Sequence, residues 1–384
     1  MKRIEIGLLP RILLAIALGV GCGFFFPEAL TRVFLTFNAL FGNFLNFIIP
    51  LLIIGLVVPG IADLGNSAGR LLLITAALSY GFTLFSGFFT YGACTLLYPW
   101  LLEGDSLSRM EESASVVEPY FTVDMPPLLG VMSALIFSFV LGIGISRLSG
   151  SVLKGLFDEF RKVIVLVIER VIIPLLPLYI FGIFLSMTVS GQVAGVLEVF
   201  VKLIALIFVL TLVLLLVQFS TAGAVAHRNP LRLLRTMLAA YVTALGTQSS
   251  AATIPVTLDR TLRCGVRPSV AGFVVPLCAT IHLSGSTMKI VACALAIITL
   301  GGLPVDAAAF CGFILMLGIT MVAAPGVPGG AIMAAAGLLQ SMLGFDEVAV
   351  GLMIALYIAM DSFGTATNVT GDGAIAVIVD RIAE

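Results

Sequence analysis

Residues 360–372 read MDSFGTATNVTGD, a polar stretch inside an apolar region. On a helix, Asp361, Thr365, Asn368 and Asp372 recur at i, i+4, i+7 and i+11, which places them on one face. Gly364 shares that face and leaves space on it. An ionised carboxylate at mid-membrane costs at least roughly 2.5–3.5 kcal/mol, so an unpaired pair against lipid is excluded. A helix end reaching back to the interface accounts for Asp380 and Arg381 but not for Asp361. Asp361 and Asp372 therefore mark a binding face.

A second polar stretch is PLCATIHLSGSTMK, residues 276–289. Its SGS triplet is expected to let the helix unwind, freeing carbonyls for a cation and a helix N-terminus for a carboxylate. His282 and Lys289 are seven apart, one face of a continuous helix. A buried ammonium needs a carboxylate or must lose its proton, and Asp361 and Asp372 are the candidates. A hydrolase built from Ser284, Ser286, His282 and Lys289 is disfavoured. A serine and a histidine two apart on one segment rarely reach each other with a third group to orient them.

These groups sit in a chain of 384 residues that is 60% hydrophobic and 11% charged, with a mean hydropathy of +1.17. Such a chain belongs in a membrane, with lipid as its surroundings. A net charge of −1 argues against a nucleic-acid partner. The six cysteines lack CxxC spacing and read as packing residues. The cationic start and long first apolar run, with no cleavage motif, read as a retained helix rather than a signal peptide.

At about 20 apolar residues per crossing, the expected spans are 8–26, 33–59, 69–101, 128–149, 160–189, 197–226, 268–298 and 348–379. Lysine and arginine gather in alternate loops, while the loop at 103–124 is acidic; this predicts a cytoplasmic N-terminus. Two segments interrupt the count: 231–262 around GTQSSAATIP and 303–345 around AAPGVPGGA. Their flanks predict re-entrant helical hairpins of opposite orientation, a pointer to inverted repeats in a transporter. The first tip offers Ser249, Ser250 and free N–H groups to a carboxylate. The second, with Gly326 and Val327, offers carbonyls suited to a lid or an ion.

With these residues in place, the chain resembles the dicarboxylate/amino acid:cation symporter family, the glutamate and aspartate transporter homologues. The resemblance is most specific in TQSSAATIPVTL, PLCATIHLSGST, APGVPGGAIM and NVTGD. It implies an all-α membrane fold of eight transmembrane helices plus two re-entrant hairpins, working as an elevator within a homotrimer. Residues 1–66 and 103–192 would form the scaffold, and 67–102 and 193–384 the moving transport part. It further implies that Asp361 meets a substrate α-amino group and that Asn368, with Ser249 and Ser250, holds the α-carboxylate. Thr365, Ser286, Gly326, Val327 and the Gly364 position would line the rest of the substrate pocket. Cation-site candidates are Cys278, Thr280, His282, Ser284, Asn368 and Asp372, the last two for sodium.

Two departures set the expected function. Gly364 stands where acidic-substrate members carry an arginine, so the expected substrate is a neutral amino acid. His282-Leu283-Ser284-Gly285-Ser286 replaces an NMDGT-like segment, so a sodium site is altered. Lys289 then becomes a candidate for a tethered positive charge, with sodium in reduced number, protons, or both as the coupling ion. The expected activity is symport in the inner membrane of a prokaryote. An acidic amino acid or dicarboxylate symporter, and a channel-like or sensory relative, remain the alternatives.

Overall fold

The computed structural model describes residues 8–66, 70–102, 117–148, 152–191, 193–301, 306–322, 324 and 329–383. Gly326, Val327 and most of the acidic loop lie outside them. The described chain is helical: α1 (Leu8–Gly23), α2 (Glu28–Asn66), α3 (Arg70–Leu101), α4 (Val131–Arg147) and α5 (Val152–Val167). A π-turn at Ile168–Ile172 joins α5 to α6 (Ile173–Val189), and α7 (Val193–Ala226) follows. Pro174 and Pro177 enter α6 just after that turn, where their missing N–H groups disturb the ordinary ladder.

The stretches Glu28–Ala62, Leu71–Leu101, Val152–Val189, Val193–Ala226 and Pro268–Leu300 are long and apolar enough to cross a bilayer. Pro10–Gly23 and Ser133–Arg147 are shorter apolar helices at two further expected spans. In the last expected span, α14 (Glu347–Ala359) and α15 (Asp361–Ile382) meet at a 62° bend.

Both interrupted segments are helix pairs. The first is α8 (Pro230–Thr247) and α9 (Ser250–Arg263), which pack on each other across a short turn. Gln248 makes that turn in the left-handed region at φ 53°, and Ser249 caps α9 by accepting the Ala252 N–H at 3.3 Å. The second pair is α12 (Ala307–Val322) and α13 (Gly330–Leu343), also in contact.

The seventh expected span is broken as well, although not at SGS. Helix α10 (Pro268–Ile281) ends at His282, Leu283 lies outside helical geometry, and α11 (Ser284–Leu300) opens with the triplet itself. The SGS residues are therefore the first turn of the resumed helix. His282 and Lys289 do not share a face of one continuous helix.

Packing separates two groups of helices. Helix α2 lies against α4 and α5, and α1 against α6. Helix α15 gathers α7, α8, α9, α10 and α11 around it, while α3 runs along α11. The crossing of α11 and α15 is close because Gly285 has no side chain. A Cβ there would stand 2.5 Å from the Gly364 carbonyl oxygen and 2.6 Å from Thr367 Cβ. The obstacle is backbone, so Gly285→Ala is expected to force the helices apart and cost about 1–3 kcal/mol. Thermal unfolding in detergent would show it as a lowered midpoint.

Candidate functional site

Helices α11 and α15 each begin inside the protein, and α15 supplies the cap that α11 lacks. No side chain adjoining α11 caps it. Instead Asn368 Oδ1, on α15, accepts the Gly285 N–H at 2.7 Å and the Ser286 N–H at 3.4 Å. Asn368 Nδ2 donates to Ser286 Oγ at 3.1 Å, and the Tyr357 hydroxyl donates to the same oxygen at 2.9 Å. One amide thereby satisfies orphan donors that a buried helix start would otherwise leave unpaired.

On one side of this crossing lies an ion pair. Lys289 and Asp361 are buried, with Nζ 3.1 Å from Oδ1. The ammonium also donates to the Met360 carbonyl at 3.3 Å and lies 3.6 Å from the centre of the Tyr357 ring. It thus sits at the C-terminal end of α14, while Asp361 opens α15; both helix dipoles favour the charge they meet. The second carboxylate oxygen accepts the Gly329 N–H at 3.0 Å, tying the start of α13 to Asp361. One residue along, Ser362 Oγ accepts Gln248 Nε2 at 3.0 Å from the α8–α9 turn.

On the other side lies a second buried pair, His282 Nδ1 with Asp372 Oδ1 at 2.9 Å. Around it, Gln218 Nε2 donates to Ser284 Oγ at 3.1 Å, and Ser86 Oγ donates to the Ser284 carbonyl at 2.6 Å. Cys278 Sγ lies 3.5 Å from Ser79 Oγ. Among the described residues, His282 Nε2 and Gln218 Oε1 are buried without a hydrogen-bond partner, so this layer retains unspent polar capacity.

The structure gathers Asp361, Gly364, Thr365, Asn368, Ser286 and Lys289 at one end of the crossing. It gathers Cys278, His282, Ser284 and Asp372 at the other. Ser250 is buried at the start of α9 beside Ser249, so that turn closes over the first group. The side chain of Thr280 stands apart from both groups: it is exposed, and its hydroxyl donates to the Leu277 carbonyl at 2.7 Å. It sits two residues before the break, on the outward side of α10. One correction concerns the space beside Gly364. A Cβ on Gly364 would meet Lys289 Cε at 2.3 Å and Nζ at 2.5 Å, so the lysine chain fills that space.

Several participants went unnoticed in the sequence: Gln218, Tyr357, Gln248, Ser362, Gly329 and Ser86. Gln218 carried a usable signal, since a lone amide in the apolar run of α7 needs a reason to be there. Tyr357 carried none, because tyrosine packs well in any helix.

Residues 8–382 match the family model described as the sodium:dicarboxylate symporter family. The chain belongs to that family. Among its relatives is a serine/threonine transporter SstT of Acinetobacter baumannii, 29% identical over 401 residues, covering 98% of this chain and 97% of the relative. The protein of the same name from Acinetobacter baylyi is 25% identical over 404 residues, covering 99% and 98%. Membership in the symporter family makes this chain a multi-pass membrane transporter, with sodium as the family's coupling ion.

The Lys289–Asp361 pair sets a stability test for this symporter. Removing one partner of a buried pair leaves an uncompensated charge, at a cost of about 3–5 kcal/mol. Asp361→Asn is expected to lower stability by that order. The double variant Lys289→Met/Asp361→Asn is expected to recover most of it, because no charge remains to be desolvated. A double-mutant cycle on unfolding midpoints in detergent would measure the coupling.

Proposed function

We propose that the protein is a secondary active symporter for a neutral amino acid, coupled to sodium through an altered set of ion sites. One observation carries the substrate class. The buried cation at the binding end, Lys289, is already matched by Asp361 at 3.1 Å, and no cationic side chain stands at position 364. A second carboxylate, on an acidic side chain, would enter without an unspent positive charge to meet it, which dry protein penalises by several kcal/mol. The names of the serine/threonine transporter relatives support the same class.

The substrate would lie between Asp361, Thr365, Asn368 and Ser286, beneath the α8–α9 turn with Ser249 and Ser250; Gly326 and Val327, outside the described residues, belong to the proposed lining as well. The cation end would be built on Asp372 with Asn368, Cys278, His282 and Ser284. Asn368 Oδ1 is engaged in capping α11, and Asp372 already has His282, so sodium at this end would depend on Asp372 and backbone carbonyls. Lys289 supplies a tethered positive charge that reduces the number of sodium ions required. Protons carried through His282 are part of the same proposal.

The fold in this proposal has eight spans and two re-entrant hairpins, α8–α9 and α12–α13. Residues 1–66 and 103–192 act as scaffold in a homotrimer, and the remainder moves as an elevator. Supporting this, α1, α2, α4, α5 and α6 pack among themselves, whereas α15 collects both helices of the first hairpin. The N-terminus faces the cytoplasm of a prokaryote, following the lysine and arginine bias of its loops.

In proteoliposomes, an inward sodium gradient is expected to drive uphill accumulation of serine, threonine or alanine in preference to aspartate. Preference for aspartate over every neutral amino acid would overturn the substrate class. Downhill flux alone would point to a channel. Replacing sodium with choline across pH, in the parent and in Lys289→Met, tests the coupling. The lysine is expected to lower the sodium requirement, and a requirement identical in both proteins would end that role.

A further inference from the structure

We propose that Lys289 is itself a substrate-binding residue: an amino-acid zwitterion inserts into the Lys289–Asp361 bridge, its ammonium taking Asp361 and its carboxylate taking the released lysine. The inference rests on the neutral amino acid reading and assigns the site a charge rule that the reading lacks.

Charge bookkeeping in a dry site carries it. Lys289 is fully enclosed and Asp361 nearly so, and together they are neutral. Asp361 Oδ1, the oxygen that a substrate ammonium would use, is held by Lys289 Nζ at 3.1 Å; the other oxygen holds the Gly329 N–H. A substrate ammonium can reach Oδ1 only by displacing the lysine. The displaced ammonium would be a buried, unmatched charge unless the same ligand brings an anion to it. A zwitterion does so, and the enclosed charge stays zero before and after. A simple amine or a simple carboxylate leaves one unmatched charge.

The surroundings permit the exchange. The lysine chain lies in the space of Gly364, against a residue with no side chain to pin it. Among the described residues its remaining partners are the Met360 carbonyl and the face of Tyr357. Ser286 Oγ accepts from the Tyr357 hydroxyl, at the edge of the ring whose face Lys289 covers, and from Asn368 Nδ2. Asn368 then helps to position the anion that Lys289 neutralises.

The test uses the purified full chain at fixed sodium and three related ligands: L-serine, ethanolamine (serine without its carboxylate) and glycerate (serine with a hydroxyl in place of its ammonium). A ligand bound to the folded state raises its unfolding temperature by mass action, which gives an affinity for each. In the parent, serine is expected to bind at least about tenfold more tightly than either analogue, since each analogue strands a charge. This comparison needs no variant. In Lys289→Met the order should invert, with ethanolamine above serine, because Asp361 then lacks its cation. In Asp361→Asn glycerate should lead. Ethanolamine matching serine in the parent, or Lys289→Met binding serine as tightly as the parent or more so, would overturn the proposal. The first outcome means the bridge is never split; the second means the lysine is a plug or a permanent counter-ion. If no neutral amino acid shifts the parent at all, it is the substrate class that falls, and this charge rule with it.

Discussion

The Lys289–Asp361 contact is the constraint around which the interior is arranged. A lysine and an aspartate enclosed in protein on all sides are tolerable only together, and their separation of 3.1 Å depends on three helix ends meeting at one point. Helix α14 stops so that Met360 can present its carbonyl; α15 starts so that Asp361 can present its carboxylate. The N-terminal end of α13 arrives with the Gly329 N–H. Each break in the helical ladder releases polar backbone groups, and the Met360 carbonyl and the Gly329 N–H find their partners in the same small volume. Irregular backbone survives at this depth because it is enclosed and paired.

Asn368 performs the corresponding service for the other broken helix. By capping α11 across space, it fixes the distance between α11 and α15, and Gly285 lets that distance be short. The crossing divides the polar interior into two compartments. One is neutral by virtue of a lysine; the other keeps an aspartate beside a histidine, with His282 Nε2 and Gln218 Oε1 unmatched among the described residues. The division suits a transporter that must treat an organic molecule and an inorganic ion differently a few ångströms apart.

Much of this was legible from residue types alone. Period-3.6 spacing put Asp361, Thr365, Asn368 and Asp372 on one stripe, and the Gly, Pro and Ser clusters marked both interrupted segments. What the spacing could not convey was reach across helices. Lys289 had two carboxylates to choose from, and the choice follows from the crossing at Gly285, which no local pattern encodes. The break fell at His282–Leu283 because the far-side cap from Asn368 lets α11 begin at Ser284, so the SGS residues were needed inside the helix. The outward turn of the Thr280 side chain has a related reason: α10 runs unbroken to Ile281, which leaves residue 280 on its outer side. Gln218, on a helix that looked purely apolar, and Tyr357, a common packing residue, became polar partners only through tertiary placement.

Gly364 and Lys289 occupy one volume between them, with 2.3 Å from the glycine's would-be Cβ to the lysine's Cε. The two positions are therefore coupled. A long side chain on α15 at 364 must push the flexible end of Lys289 out of that space and away from Asp361, and removing Lys289 first strands Asp361. A mutational path toward an arginine-bearing, acid-selective pocket disturbs the buried pair whichever step comes first. Specificity in this chain is consequently guarded by epistasis: the barrier lies in the single-substitution intermediates, in addition to the energetics of the finished site.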